Sequence, residues 1–326
     1  MTTKTALAAA PGLDPRKFRD PDITADGQRR GQVDFVALET LWFNTGTLCN
    51  ITCRNCYIES SPRNDRLVYL DAAEVTGFLD EIARERLGTR EIGFTGGEPF
   101  MNPDIMAMLA ACLDRGFRVL VLTNAMRPMA RHRDTLLALG GRYGQRLAIR
   151  VSIDHYRPAL HDLERGEGAW DKMFPELLWL AENGFALRVA GRTCWGESEH
   201  EMRTGFARLF ASHRIPIDAF DPGQLVLFPE MDATVDVPEI TAKCWSLLGV
   251  DPKEVMCATS RMVIKRKGAS RPSIASCTLL PYEPEFELGD SLKAARRSVK
   301  LNHPHCARFC VLGGASCSAS ACGKSK

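Results

Sequence analysis

The sequence CNITCRNCY, residues 49–57, places Cys49, Cys53 and Cys56 within a single short segment. Three thiolates in this C-x3-C-x2-C spacing can hold three irons of a [4Fe-4S] cluster and leave the fourth iron without a protein ligand. An open metal position is where a cofactor or substrate binds. The alternative is a zinc knuckle, but zinc sites usually complete four protein ligands, and nothing near Cys56 supplies the fourth. The spacing therefore favours an iron–sulfur cluster.

The composition is that of a globular protein and argues against several other classes. Of 326 residues, 45% are apolar and 25% are charged, and 42 basic against 40 acidic residues give a net charge of +2. Such a charge predicts no nucleic-acid partner, and the lack of an apolar run of spanning length predicts no membrane span. The short Ala/Leu patch before Pro11 does not resemble a secretory signal, so we expect a cytoplasmic protein. In a reducing compartment, the 12 cysteines indicate metal or redox chemistry.

The order of the patterns predicts three parts: a flexible arm over residues 1–32, a core over 33–236, and a cysteine-rich domain over 237–326. In the core, apolar runs alternate with amphipathic stretches, which predicts a parallel α/β sheet, either doubly wound or a barrel. Strands are predicted at 35–43, 91–95, 118–123, 147–153, 186–192 and 224–228, and helices at 71–86, 103–115, 129–139, 170–183 and 198–212.

A second motif, TGGEP (Thr95–Pro99), ends the second predicted strand. Together with CNITCRNCY, this motif resembles the radical S-adenosylmethionine (SAM) enzyme superfamily. The resemblance implies a partial (β/α)6 barrel of the TIM type, and a cluster whose open iron chelates the amino and carboxylate groups of SAM. The family often has an aromatic residue before the third cysteine, whereas this chain has Asn55 there and Tyr57 directly after Cys56. Tyr57 is therefore the candidate cofactor contact of this loop.

Further SAM contacts are expected at the carboxyl ends of the other strands, where parallel α/β folds place their sites. Glycines let the backbone approach a ligand closely, and an arginine fork suits a carboxylate. By resemblance, such positions receive the methionine amino group, the ribose hydroxyls and the carboxylate of SAM. The alternatives are ordinary turn residues and, for the arginine, a surface ion pair with Glu197, Glu199 or Glu201. The candidates are Gly96, Gly97, Glu98, Pro99, Asn124 (preceded by Thr123), Ser152, Asp154 and Arg192.

The last quarter of the chain carries a second group of cysteines. Its spacing, C-x3-C-x6-C-x4-C from Cys306, resembles the SPASM and twitch domains of the superfamily without matching either. The resemblance implies one auxiliary [4Fe-4S] cluster, and zinc is the alternative, since paired cysteines of a hairpin also form zinc ribbons. Four ligands are expected from among Cys257, Cys277, Cys306, Cys310 and Cys317.

The function implied by the resemblance is reductive cleavage of SAM to a 5′-deoxyadenosyl radical, which abstracts a hydrogen atom from a small-metabolite or peptide substrate. An auxiliary cluster would then exchange an electron with the substrate, so oxidation or cross-linking is expected, with a flavodoxin- or ferredoxin-type reductant as partner. The alternative is a non-catalytic iron–sulfur electron carrier or zinc-binding protein. TGGEP favours the enzyme, because a ferredoxin-like carrier has no use for that motif.

Overall fold

Ten strands and eight helices make up the regular structure of residues 11–313, the part that this computed structural model describes. The strands are β1 (Gln32–Val33), β2 (Thr40–Asn44), β3 (Glu91–Thr95), β4 (Arg118–Thr123), β5 (Leu147–Ser152), β6 (Ala186–Arg192), β7 (Leu225–Phe228), β8 (Ser260–Ile264), β9 (Ser273–Ala275) and β10 (Val299–Lys300). The helices are α1 (Ala72–Glu85), α2 (Ile105–Asp114), α3 (Arg127–Ala130), α4 (Arg133–Tyr143), α5 (Pro158–Arg165), α6 (Ala169–Glu182), α7 (Glu199–Ser212) and α8 (Cys244–Leu248).

The central sheet confirms the partial (β/α)6 barrel. From β2 to β7 the strands pair in sequence order and in parallel, and helices fill each connection between them. The strands are almost entirely buried, because helices cover one face and the C-terminal region packs on the other. All six carboxyl ends therefore lie along one edge of the sheet, which fixes the place of the site.

Local signals account for α1, which leads from the cysteine loop to β3. Asp71 caps the helix by accepting a hydrogen bond from the Glu74 N–H at 2.7 Å, while the Glu74 carboxylate accepts one from the Asp71 N–H at 3.0 Å. This reciprocal pair satisfies two backbone donors that the first turn leaves free. The apolar face of α1, with Val75, Leu79 and Ile82 buried, packs on the sheet core.

The region after residue 236 extends the central sheet. Strands β8 and β9 form an antiparallel hairpin, with Met262 opposite Ala275. In addition, β8 pairs in parallel with β2, in register from Thr40 opposite Ser260. The cysteine-rich region therefore shares a continuous sheet with the barrel, in the strand order β7-β6-β5-β4-β3-β2-β8-β9.

Residues 11–31, expected to belong to a flexible arm, are instead bound to the rest of the protein. Glu239 accepts hydrogen bonds from the backbone N–H groups of Phe18 and Ala25, and forms an ion pair with Arg30 at 2.6 Å. Both charged side chains are almost fully buried. The following strand, β1, pairs with β10. The polar composition that suggested an arm thus reflects polar contacts with residues 234–241.

Candidate active site

A cavity opens at the carboxyl edge of the sheet, and most of the predicted SAM-site residues line it. They come from the cysteine loop and from the ends of β3, β4, β5 and β6, so segments far apart in the chain meet here. The predicted residues that line the cavity are Cys49, Cys53, Cys56, Tyr57, Gly96, Gly97, Asn124, Ser152, Asp154 and Arg192. Glu98 and Pro99 are not among the lining residues.

The cysteine loop is fixed by backbone hydrogen bonds at both ends. The Cys49 N–H donates to the Ser61 carbonyl at 3.1 Å, and the Glu98 N–H donates to the Leu48 carbonyl at 3.2 Å. Gly97 allows this contact, since a Cβ atom at its position would lie 2.1 Å from the Leu48 carbonyl oxygen. Gly96 has a φ of 134°, a conformation that side chains rarely adopt. The two glycines therefore let the end of β3 lie directly against the loop.

Glu98 joins two strand ends inside the protein. Its carboxylate accepts hydrogen bonds from the Thr123 hydroxyl at 2.9 Å, the Asn124 N–H at 2.8 Å and the Phe100 N–H at 3.1 Å. Burial raises the pKa of Glu98 to about 7, although these donors favour the ionised form. In this structure Glu98 thus orients the end of β4, which places Asn124 at the cavity.

Asn124 has an acceptor available to a ligand. Its Nδ2 donates to Asn50 Oδ1 at 2.9 Å and contacts the Cys49 sulfur at 3.7 Å. Its Oδ1 is buried without a hydrogen-bond partner among the described residues. Because a buried oxygen without a partner costs free energy, the site favours a ligand that donates a hydrogen bond there.

Two arginines and two carboxylates form a buried charged network beside the cysteines. Arg165 lies 2.8 Å from Asp154, and Arg192 lies 3.7 Å from Asp154 and 4.0 Å from Glu164. Burial alone would raise the pKa of Asp154, but the two guanidinium groups outweigh it and hold that pKa below its ordinary value. Arg192 therefore lies in the cavity, and its partners are not those of the surface ion pair considered above.

Helix α5 contacts the side of the cysteine loop. The sequence did not predict this helix or its site residues Glu164 and Arg165. The Glu164 carbonyl accepts a hydrogen bond from the Arg54 N–H at 2.8 Å, and its carboxylate accepts one from the Asn55 amide at 2.9 Å. Arg192 donates to the Asn55 carbonyl. In the sequence, Glu-Arg-Gly at 164–166 follows a short apolar pattern, and the glycine could have indicated the end of a helix near the site.

The donor chemistry of the loop fits an iron–sulfur cluster. Burial raises the pKa of Cys49 to about 12 and also raises that of Cys53, so both thiols are protonated at neutral pH until a metal binds. Across residues 11–313, no three His, Cys, Asp or Glu side chains converge on a position for a single metal ion. A cluster requires no such convergence, because each thiolate binds a different iron.

Residues 43–202 match the Radical SAM superfamily model. These residues form a radical SAM domain. It is 28% identical to the subtilosin biosynthesis protein AlbA of Bacillus subtilis over 275 residues, 78% of this chain and 58% of AlbA. It is 38% identical to a GTP 3′,8-cyclase of Rhodococcus opacus over 109 residues, 32% of this chain and 29% of the cyclase. The chain thus spans little more than half of AlbA and less of the cyclase.

Solved structures of radical SAM proteins share this fold. SuiB of Streptococcus suis, in a crystal structure with S-adenosylmethionine, gives a TM-score of 0.56 at 12% identity. The match covers 78% of this chain and 63% of the SuiB chain. The protein anSMEcpe with bound AdoMet gives a TM-score of 0.57 at 12% identity. The match covers 80% of this chain and 77% of the anSMEcpe chain. Within the described residues, no helix is long and apolar enough to cross a membrane.

This radical SAM protein has a second group of thiols in its C-terminal region. Four of the five predicted cysteines line a narrow apolar cavity of about 20 Å³, and Cys317 lies outside the described residues. Burial raises the pKa of Cys257 to about 12, and raises that of Cys277 and of Cys306. Leu279 lines both the thiol cavity and the SAM-site cavity. The four cysteines are Cys257, Cys277, Cys306 and Cys310.

Proposed function

We propose that this protein cleaves SAM reductively at a [4Fe-4S] cluster held by Cys49, Cys53 and Cys56, and removes a hydrogen atom from a bound substrate. The observation that carries the proposal is the single cavity in which these thiols meet the polar carboxyl ends of β3 to β6. When bound, the cluster and SAM supply the one-electron chemistry, with electrons from a flavodoxin- or ferredoxin-type donor. The protein positions the cluster, SAM and the substrate relative to one another and shields the site from water.

The polar residues of the cavity match the groups that SAM presents. Arg192 Nη1 is buried and has no hydrogen-bond partner in residues 11–313, so it can bind a carboxylate oxygen. The Oδ1 of Asn124 is suited to an ammonium or hydroxyl donor, and Asp154 and Ser152 line the same cavity. Glu98, a candidate contact of the amino group by resemblance, would act by orienting Asn124.

Of the two substrate classes, we favour a peptide. AlbA, a relative whose match extends over 78% of this chain, is named for the biosynthesis of a bacteriocin. The cavity is also lined by apolar side chains that suit an uncharged group of a substrate, among them Leu122, Phe228, Met231, Leu279 and Phe309. Oxidation or cross-linking of such a group is the proposed outcome.

The four enclosed thiols would hold one auxiliary [4Fe-4S] cluster. Support comes from the donor set, since Cys257, Cys277, Cys306 and Cys310 supply the four thiolates of a closed cluster. Leu279 lines both cavities, so the proposed auxiliary site would adjoin the proposed substrate region. An electron can therefore pass between a bound substrate and the auxiliary cluster over a short path.

Formation of 5′-deoxyadenosine tests the central claim. Anaerobically reconstituted protein is reduced with dithionite, incubated with SAM, and analysed by mass spectrometry. We expect 5′-deoxyadenosine from the wild type and from the control Cys244→Ala, whose cysteine lines neither cavity, and none from the alanine variants of Cys49, Cys53 or Cys56. An iron-loaded wild type that forms none would favour the electron-carrier alternative.

A further inference from the structure

Arg261 is a buried cation beside the second thiol cavity. It lies in β8 and is 1% exposed. Its guanidinium packs over the Phe35 ring at 4.6 Å and donates all its hydrogen bonds to backbone carbonyls. The acceptors are the carbonyls of Ala295 at 2.9 Å, Cys257 at 2.6 Å, Ser260 at 2.7 Å and Arg297 at 2.8 Å. One of these four carbonyls thus belongs to a proposed cluster ligand.

No carboxylate neutralises this charge within the part of the chain that the structure describes. The buried Arg30, by contrast, has Glu239 at 2.6 Å, and Arg165 has Asp154 at 2.8 Å. Arg261 forms no ion pair in residues 11–313, and the nearby Arg297 adds a second positive charge. An isolated charge in a protein interior is costly unless an opposite charge lies near it.

The groups of opposite charge that can face Arg261 are the thiolates of the cavity. Arg261 Nη1 lies 2.6 Å from the Cys257 carbonyl oxygen, and Cys277 lines the same narrow cavity as Cys257. A [4Fe-4S] cluster with four thiolate ligands is an anion. Reduction adds a further negative charge to that anion, and attraction to a fixed cation in a low-dielectric interior is strong.

We propose that Arg261 is the built-in counter-ion of the auxiliary cluster and raises its reduction potential. Arg261 touches neither substrate nor cluster directly, so it is a positioning residue that acts through its charge. Because the reduced cluster is the more negative state, Arg261 stabilises it more than the oxidised state. The auxiliary site is thereby suited to accept an electron. This inference rests on the proposed auxiliary cluster, and the experiment separates the two.

The experiment measures a midpoint potential in the full-length chain. A parent variant with Cys49, Cys53 and Cys56 all replaced by Ala lacks the ligands of the barrel cluster, so titration monitored by electron paramagnetic resonance reports the auxiliary cluster alone. In this parent, we expect Arg261→Met and Arg261→Gln to lower the midpoint potential, and Arg261→Lys to retain it. Arg266→Met, in the same hairpin but half-buried and paired with Glu287, is the control and should leave the potential unchanged.

Each result decides between the alternatives. If the neutral variants lose auxiliary iron while Arg261→Lys keeps it, the charge itself is required, which supports the proposal. If all three variants lose iron, or if the neutral variants keep the parent's potential, Arg261 is a structural hydrogen-bond donor and the proposal is overturned. A parent without iron, or with zinc, overturns the auxiliary cluster itself. 5′-Deoxyadenosine formation by the wild type tests the barrel cluster separately.

Discussion

Gly97 is the residue at which β3 and the cysteine loop approach most closely. A methyl group there would meet the Leu48 carbonyl at 2.1 Å, so Gly97→Ala must displace the loop. We expect this variant to lose the iron of the barrel cluster and to keep that of the auxiliary cluster, which halves the iron content. Gly141→Ala, at a helical position with no atom within 4 Å of the new Cβ, is the matched control. Full iron content in Gly97→Ala would contradict this account.

Glu98 gives a prediction about pH. Its pKa is raised from 4.5 to about 7 in the folded protein, so folding favours the protonated form. The stability gained in this way is complete below pH 4.5 and is lost as the pH rises to 7, by at most about 1.4 kcal/mol per pH unit. Glu98→Gln cannot titrate, so the wild type should lose free energy of unfolding relative to this variant across that interval and no further above it.

Denaturant unfolding of the two metal-free proteins at several pH values measures this difference. A wild-type curve that stays parallel to that of Glu98→Gln from pH 4.5 to 8 would disprove the raised pKa. The motif TGGEP identified Glu98 from sequence, but not the direction of its carboxylate, because that depends on Thr123 and Asn124 in another strand.

At the scale of elements, α5 is held to β5 by one buried ion pair. Arg165→Met would leave Asp154 buried with only the more distant Arg192, which typically costs about 3–5 kcal/mol. Arg115→Met breaks a pair with Asp80 that is largely exposed, and should cost less than about 1 kcal/mol. The free energies of unfolding of the two variants measure the contrast. Equal losses of unfolding free energy in the two variants would show that the buried ion pair stabilises the protein no more than the exposed one. If the double variant Arg165→Met/Asp154→Asn regains part of the stability lost in Arg165→Met, the cost of leaving Asp154 unpaired is supported.

The strands were predictable from sequence because each is a short apolar run, and β3, β4 and β6 have the predicted bounds. The helix predicted at 129–139 is divided into α3 and α4, and His132, which packs against the Phe100 ring, lies between them. Helix α5 was missed because it is short and its buried residues, His161 and Glu164, are stabilised by tertiary contacts. The pairing of β8 with β2 joins residues more than two hundred positions apart, which local patterns do not record.

At the scale of the whole molecule, two separate thiol sites predict a defined iron content. We expect about eight irons in the reconstituted wild type and about four in the variant with Cys49, Cys53 and Cys56 replaced by Ala. Two auxiliary clusters would give about twelve and eight, and a zinc site would give about four and none. Iron and zinc analysis of both proteins distinguishes these outcomes. Of the five cysteines predicted as auxiliary ligands, the four that the structure describes line one cavity, although they come from three segments of the chain.

The narrow apolar cavity around the four C-terminal cysteines also bears on the order of events in the cell. Cys306 and Cys310 belong to one π-helical segment, Cys306–Leu312, that packs over Cys257 and Cys277. Once that segment has packed, Cys257, Cys277 and Cys306 are buried around a narrow cavity, whereas the loop of Cys49, Cys53 and Cys56 faces a wider cavity. We therefore expect the auxiliary cluster to be inserted while the chain is still folding, and the barrel cluster to be the one that can be replaced after oxidative damage.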